Sequence, residues 1–231
     1  MSTILILHGW GSQAKNWQKV KEGLEKVGYK VFVPDLPGFG ENTPLERAWI
    51  TEDYIDWIKN FAVNNSLERF FLVGHSFGGG LAAVFSAQFP EQVEKLILVD
   101  AAIIRVENLK RELLTQIAKI LKLFSFMPFY KSARKFFYKF IASDYPGLEG
   151  IMRQTYLNVV KKDLSGCLPA ISVPTLLIWG AKDKITPLKD AYLIKDKIPG
   201  AKLEIIPNIE HAPYLKVPEI LAEKILNFIR L

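Results

Sequence analysis

The chain has 231 residues, 49% of them hydrophobic, and a net charge of +6, which suits one α/β domain with room for an inserted subdomain. No apolar stretch reaches the roughly 18 residues that a membrane-spanning helix needs, so such a helix is excluded. A single cysteine, Cys167, excludes an intrachain disulfide and is typical of the reducing cytoplasm, where we expect the protein to be located.

Short runs rich in Leu and β-branched residues alternate with longer amphipathic ones, a pattern typical of βαβ units around a parallel sheet. We predict strands over residues 3–7, 30–34, 70–73, 95–99, 174–179 and 202–206. Helices are predicted over residues 16–27, 50–65, 77–88, 188–197 and 218–229. No basic segment precedes the first strand, so we interpret the N-terminus as a buried strand rather than a signal peptide.

A long interruption separates the fourth predicted strand from the fifth. Residues 101–170 lack strand alternation, and the segments that look helical are 109–123, 131–141 and 148–160. The same 101–170 segment carries a net charge of +7, whereas the rest of the chain carries −1. Ligands of open α/β folds bind at the carboxyl edge of the sheet, where this insertion would lie. We therefore predict a core of residues 1–100 and 171–231, with 101–170 inserted as a helical cap over the site.

The sequence Gly-His-Ser-Phe-Gly at 74–78 lies between a predicted buried strand and a predicted helix. This is the context of the G-x-S-x-G nucleophile elbow, in which the serine adopts a positive φ. The residues two positions before and after that serine must be small, because their Cβ atoms would otherwise collide with the turn. Gly74 and Gly78 meet this requirement, so we predict that Ser76 is a nucleophile at the carboxyl edge of the sheet.

A serine hydroxyl is a weak nucleophile that needs a general base. In enzymes built on this elbow the base is a histidine that follows both the serine and an acidic residue along the chain. His8 comes before Ser76, and the side chain of His75 is expected to point away from that of Ser76. This leaves His211, between the last predicted strand and the last predicted helix, as the base.

Two aspartates could orient this histidine. Asp183 follows the fifth predicted strand, and Asp100 ends the fourth. We favour Asp183, because the Trp-Gly-x-x-Asp turn at 179–183 would present its carboxylate beside the loop that holds His211. Asp35, in a Pro-Asp-Leu-Pro-Gly turn, is interpreted as a turn residue that bonds backbone amides.

The tetrahedral intermediate of acyl transfer needs two backbone N–H donors. One is expected from Phe77, the residue after the nucleophile, at the N-terminus of a helix whose dipole favours negative charge. The second is expected from Trp10 in the His-Gly-Trp-Gly loop that follows the first strand, with Gly9 letting the backbone approach the substrate.

Nearly the whole chain resembles the α/β-hydrolase superfamily, and within it the small capped esterases of the pimeloyl-carrier-protein methyl esterase type. The motifs that carry the resemblance are His-Gly-Trp-Gly at 8–11, Trp17, Asp-Leu-Pro-Gly-Phe-Gly at 35–40, Gly-x-Ser-x-Gly-Gly at 74–79 and His-Ala-Pro-Tyr at 211–214. The resemblance implies a triad of Ser76, Asp183 and His211, with the oxyanion hole formed by Trp10 and Phe77. Because the N-terminal antiparallel hairpin of that family is missing here, we expect an α/β-hydrolase fold with a mostly or wholly parallel sheet of about six strands and an inserted helical cap.

We therefore expect a serine hydrolase that cleaves carboxylic esters through an acyl-enzyme. Lactones, thioesters, carbon–carbon bonds and proline amides are alternative substrates on the same scaffold, and a ligand-binding protein with low turnover is an alternative from another class. The sequence shows no cluster of metal ligands, and we predict neither a metal nor a cofactor.

The predicted cap contains a segment that combines aromatic and basic residues. Its aromatic residues are Phe124, Phe126, Phe129, Tyr130, Phe136, Phe137, Tyr138, Phe140 and Tyr145. The basic residues among them are Lys122, Lys131, Arg134, Lys135 and Lys139. The simplest interpretation is that the rings pack the cap onto the core while the cations face water. The alternatives are an acyl tunnel with a basic rim for an acidic acyl carrier protein, and a membrane-surface patch. Nucleic acid is not expected, because no recognised binding motif accompanies the charge.

Overall fold

The computed structural model describes residues 2–41, 44–105 and 148–231. Its strands are β1 (Thr3–Leu7), β2 (Lys30–Phe32), β3 (Phe70–His75), β4 (Val93–Val99), β5 (Thr175–Gly180) and β6 (Lys202–Ile206). Its helices are α1 (Gln18–Glu25), α2 (Thr51–Asn64), α3 (Phe77–Gln88), α4 (Gly150–Val159), α5 (Leu188–Lys197), α6 (Pro213–Lys216) and α7 (Pro218–Ile229). Short 3₁₀ segments cover Ala14–Trp17, Pro90–Gln92 and Ser165–Ala170. The helices predicted over 109–123 and 131–141, and the aromatic and basic segment of the predicted cap, lie outside the described residues.

The strands of the described chain form one sheet in the order β2-β1-β3-β4-β5-β6, and every neighbouring pair is parallel. The prediction of about six parallel strands is therefore confirmed. Leu7 is in register with Gly74, and His75 with Val99, so β1, β3 and β4 end side by side. The chain order changes direction between β1 and β3, which is where open parallel sheets bind their ligands.

Both faces of the sheet are covered, and the strands alternate between the two cores. Along β1, Leu5 and Leu7 belong to one core and Ile4 and Ile6 to the other, and all four side chains are fully buried. Helices α2, α3 and α5 contribute to the first core, and α1 and α7 to the second. This explains why β1, β3 and β5 are nearly continuous apolar runs, as expected for parallel strands that are buried on both sides. None of the described helices is both long and apolar enough to cross a lipid bilayer.

Helix α3 lies so close to the end of β1 that its first turn has no room for a side chain. A Cβ atom added to Gly78 would lie 2.3 Å from the carbonyl oxygen of Leu7 and 2.5 Å from that of His8. Both atoms belong to the backbone and cannot move aside as a flexible side chain could. Glycine at this position therefore lets the helix start directly at the edge of the sheet.

We expect Gly78→Ala to destabilise the protein by about 3 kcal/mol or more, the upper end of the cost of overpacking a core. Gly166→Ala is the matched control, because a Cβ atom at Gly166 would have no neighbour within 4 Å. The free energy of unfolding in urea measures both. Equal stability of the two variants would contradict the close approach of α3 and β1.

Candidate active site

Ser76 occupies the sharp turn between β3 and α3. Its φ is 50° and its ψ is −116°, a backbone conformation that L-residues rarely adopt. A Cβ atom on Gly74 would lie 2.4 Å from the carbonyl oxygen of Gly78, so the small residues predicted around the serine are required by the turn. The Ser76 N–H donates to the Val99 carbonyl at 3.0 Å, and the Ser76 carbonyl accepts from Ala102 N–H at 2.9 Å. The turn is thereby fixed to the end of β4.

His211 brings its imidazole to Ser76 from the loop between β6 and α6. The distance from His211 Nε2 to Ser76 Oγ is 2.9 Å, and that from His211 Nδ1 to Asp183 Oδ2 is 2.7 Å. Because an ionised carboxylate can only accept, Nδ1 carries the proton of a neutral ring. Nε2 is then left as the acceptor for the Ser76 hydroxyl proton. The structure thus joins Ser76, His211 and Asp183 in one chain of hydrogen bonds.

Asp183 is held as a charged carboxylate in the loop that follows β5. Its Oδ1 accepts from the backbone N–H groups of Ile185 at 2.7 Å and Thr186 at 3.0 Å, and its Oδ2 accepts from the Thr186 hydroxyl at 2.7 Å. Burial by itself would raise the pKa of Asp183, but the hydrogen bond and charge of His211 and the bonds from Thr186 outweigh it and lower the pKa below its usual value. A carboxylate that stays ionised can orient His211.

Asp100, the other aspartate considered for this role, lies close by but faces a different partner. It has a φ of 43° just after β4, and its Oδ1 accepts from Gly180 N–H at 2.8 Å. Its Oδ2 is buried and has no hydrogen-bond partner among the described residues. Burial raises the pKa of Asp100 to about 8, with further repulsion from Asp183 and only partial relief from the Gly180 N–H. Of the two aspartates, Asp183 is therefore the one that bonds His211.

The raised pKa of Asp100 predicts a pH-dependent loss of stability. Between its ordinary pKa of 3.8 and the folded value of about 8, the unfolded chain releases a proton that the folded protein keeps, so stability falls as pH rises. Asp100→Asn keeps the acceptor for Gly180 and cannot ionise. We expect its unfolding free energy, relative to wild type, to rise from pH 4 to pH 8 by up to about 1.4 kcal/mol per pH unit, as measured by urea denaturation. A difference independent of pH would show that Asp100 ionises normally.

The remaining histidines support the site without reaching the Ser76 hydroxyl. His75 Nε2 donates to the backbone carbonyl of His211 at 2.7 Å, and burial lowers the pKa of His75 to about 3, so this ring stays neutral. His8 donates from Nδ1 to the Gly9 carbonyl and accepts from Leu36 N–H at Nε2. The contact between His75 and His211 was missed by the sequence analysis, because it joins residues far apart in the chain and no local pattern reports it.

The two residues predicted to supply N–H donors lie beside Ser76. Phe77 is the first residue of α3, a position whose N–H has no acceptor within its own helix. Trp10 lies in the loop after β1, with its ring 5.4 Å from that of Phe77. A Cβ atom on Gly9 would lie 3.2 Å from the Cβ of Ser76, so this loop is in direct contact with the elbow. Both residues line the cavity in front of Ser76.

Asp35 has the role predicted for it. Its two carboxylate oxygens accept from the backbone N–H groups of Ala14 at 2.6 Å and Glu41 at 3.0 Å. It thereby ties the loop after β2 to the segment that follows the Trp10 loop. A Cβ atom on Gly40 would overlap this carboxylate, which explains the glycine there.

A cysteine thiol and one group of possible metal ligands are the other reactive features among the described residues. Burial raises the pKa of the Cys167 thiol to about 11, which disfavours the reactive thiolate. Among the described residues, His75, Asp100 and His211 each place one atom that could bind a metal within 4.8 Å of the others. Each of these side chains already makes at least one of the hydrogen bonds given above, so we interpret the group as a hydrogen-bond network. The prediction of neither metal nor cofactor stays a prediction.

The cavity in front of Ser76 has a volume of about 450 Å³, within the range of small-molecule sites. Its aromatic lining comprises Trp10, Phe77, Tyr156 and Tyr214. The Tyr156 ring packs against Trp10 at 5.3 Å, so helix α4 forms part of the wall. This helix confirms the one predicted over 148–160.

Comparison with known proteins relates the chain to α/β-hydrolases and esterases. The chain matches the sequence profile of the α/β-hydrolase fold in two overlapping segments, residues 2–137 and 126–218. It is 28% identical to a pimeloyl-[acyl-carrier protein] methyl ester esterase of Wigglesworthia glossinidia brevipalpis, over 98% of this chain and 93% of that protein. It is 25% identical to Lipase 1 of Psychrobacter immobilis, over 97% of this chain and 76% of that protein. Among solved structures, an esterase from Exiguobacterium antarcticum shares the fold with a TM-score of 0.78 at 22% identity, over 100% of this chain and 92% of that one.

Proposed function

Because the chain belongs to the α/β-hydrolase fold family, we propose that it is a serine hydrolase that cleaves carboxylic esters through an acyl-enzyme. The observation that carries this proposal is the continuous hydrogen-bond chain from Ser76 Oγ through His211 to Asp183, with distances of 2.9 and 2.7 Å. Similarity to an esterase of acyl-carrier-protein methyl esters and to a lipase supports an ester substrate.

In the first half of the reaction, His211 Nε2 takes the proton of Ser76 as Oγ attacks the ester carbonyl carbon. The Asp183 carboxylate holds the ring in the required tautomer and stabilises the imidazolium that forms. The oxyanion of the tetrahedral intermediate would accept from the backbone N–H groups of Trp10 and Phe77, the second of these at the positive end of α3. His211 then protonates the leaving alcohol, and an acyl-enzyme remains on Ser76.

In the second half, water replaces the alcohol. His211 removes a proton from water, which attacks the acyl carbonyl, and then returns the proton to Ser76 Oγ as the carboxylic acid leaves. Apart from the ester and water, these steps involve Ser76, His211, Asp183 and the two proposed N–H donors. The bound acyl chain would lie in the cavity lined by Trp10, Phe77 and Tyr156.

A fluorophosphonate probe, which reacts with activated serines, tests the mechanism. We expect labelling of the wild type at Ser76 and none in Ser76→Ala. A panel of p-nitrophenyl esters of increasing chain length, assayed beside lactones and proline amides, tests the substrate class. Labelling without turnover of any of these compounds would favour the ligand-binding alternative. Turnover of lactones or amides alone would show that the substrate is a lactone or an amide and not a simple ester.

Similarity to the methyl esterases of acyl-carrier-protein esters also supports the proposal of an acyl carrier protein as partner. The basic residues predicted to dock it, such as Lys131, Arg134 and Lys135, lie outside the described residues. Carrier docking, the boundaries of the cap at 101–170 and the cytoplasmic location therefore stay predictions.

A further inference from the structure

The cavity in front of Ser76 is lined by cations from three separate segments of the chain. Arg105 follows β4, Lys161 follows α4, and Lys184 lies in the loop after β5. No described Asp or Glu lines the cavity. Asp183 lies behind His211 with its side chain fully buried, so its charge is turned away from the opening.

Two of these cations are held in place by contacts with the protein. Arg105 donates from Nε to the Val160 carbonyl at 2.6 Å, and its backbone N–H donates to Asp163 Oδ1 at 2.9 Å. The Lys161 ammonium lies 5.5 Å from the centre of the Tyr156 ring. The oxygens of Asp163 also accept from the hydroxyl and N–H of Ser165, and Asp163 does not line the cavity.

Lys162, the next residue along the chain, does not line the cavity. It pairs with Glu52 at 3.1 Å. For Lys184, no ion pair is found within the part of the chain that the structure describes. Three cations thus line the cavity in front of Ser76, while Lys162 lies outside it.

From this arrangement we infer that the site prefers esters whose acyl chain bears a second, anionic group, a carboxylate or a phosphate, held by Arg105, Lys161 and Lys184. The inference rests on the proposed esterase function and names its substrate class. A charge at the rim of a cavity with aromatic walls acts in a medium less polar than water, where attraction between opposite charges is stronger. An ester with an uncharged chain has no group for these cations to bind. They would act on such an ester only by stabilising the oxyanion that forms during the reaction.

The charge preference is tested with two methyl esters of the same acid, monomethyl adipate, whose far end is a carboxylate, and dimethyl adipate, whose far end is a neutral ester; the rate for the diester is divided by two because either of its ends can be cleaved. We expect wild type to have at least a tenfold higher kcat/KM for the monoester at low salt, mainly through KM, because binding of a remote group acts equally on ground and transition states. In the double variant Lys161→Gln with Lys184→Gln, the ratio of the two kcat/KM values should fall about tenfold. Added salt should lower the ratio in wild type.

Lys162→Gln is the matched control, since it removes a neighbouring charge outside the cavity, and it should leave the ratio unchanged. Arg105 is kept in these variants because it also bonds the Val160 carbonyl. Equal losses on both esters in the double variant would overturn the inference, because the cations would then stabilise the oxyanion rather than select the substrate. So would an equal loss of the ratio in Lys162→Gln.

Calorimetry with the Ser76→Ala protein separates this inference from the proposed function, because it needs no turnover. We expect adipate or inorganic phosphate to bind, and the double variant to bind at least tenfold more weakly. Tighter binding of adipate would identify a carboxylate as the group recognised, and tighter binding of phosphate would identify a phosphate ester or phosphorylated carrier. Binding of neither anion would overturn the inference even if neutral esters are cleaved. Anion binding by a protein that cleaves no ester would instead overturn only the esterase function.

Discussion

Ser76→Ala should lower the kcat for p-nitrophenyl butyrate by about 10⁴-fold or more while the protein stays folded. Ser76 Oγ is the atom that His211 Nε2 approaches at 2.9 Å, and the hydrogen-bond chain continues from that ring to the ionised Asp183. Without this hydroxyl, binding and the backbone N–H donors remain, and these alone account for roughly 10³–10⁴-fold acceleration over water, far less than an intact triad. The rate of p-nitrophenol release measures the effect.

The fold should survive this change because it removes one hydroxyl and keeps the backbone of the turn. Ala is no larger than Ser, and the N–H and carbonyl of residue 76 keep their partners at Val99 and Ala102. Ser86→Ala is the matched control, since the Ser86 hydroxyl is also buried on α3 but has no partner among the described residues. It should leave kcat unchanged. If the Ser76→Ala protein keeps a tenth of the wild-type rate, Ser76 is not the nucleophile.

The sequence predicted the centre of the sheet well because the central strands are buried on both faces. Continuous apolar runs and the turns around them define β1, β3 and β5 to within about two residues. The elbow was equally predictable, because the glycines at 74 and 78 are required by backbone distances below 3 Å. In both cases the physical constraint acts on neighbouring residues, so it leaves a local pattern.

Features that depend on contacts distant in sequence were harder to predict. The loops after β4, β5 and β6 meet only in the fold, so the sequence favoured Asp183 over Asp100 as the partner of His211 but could not give the distances. The support of the His211 carbonyl by His75 is of the same kind. The cations in front of Ser76 also come from three segments. Composition showed only the net positive charge of residues 101–170, a segment to which Lys184 does not belong.

The second large effect on kcat is expected from replacing Asp183, the residue proposed to orient His211. Asp183→Asn should lower kcat by on the order of 10⁴, because an amide nitrogen beside His211 Nδ1 donates where the carboxylate accepts. The ring then carries its proton on Nε2 and cannot accept the Ser76 proton. The amide oxygen of the variant side chain can still accept from the N–H groups of Ile185 and Thr186, so the loop should keep its shape.

Asp100→Asn makes the comparison specific to the hydrogen bond rather than to negative charge near the ring. Asp100 is buried, its pKa is raised to about 8 by that burial, and its Oδ1 bonds Gly180 N–H rather than His211. At pH 7 the residue is therefore mostly neutral already, and an isosteric amide should change kcat by less than about tenfold. Steady-state kinetics of both variants at pH 7, with circular dichroism to compare their folds, gives the ranking. If Asp100→Asn proves the more damaging of the two, the residue that orients His211 lies at the end of β4 instead of in the loop after β5.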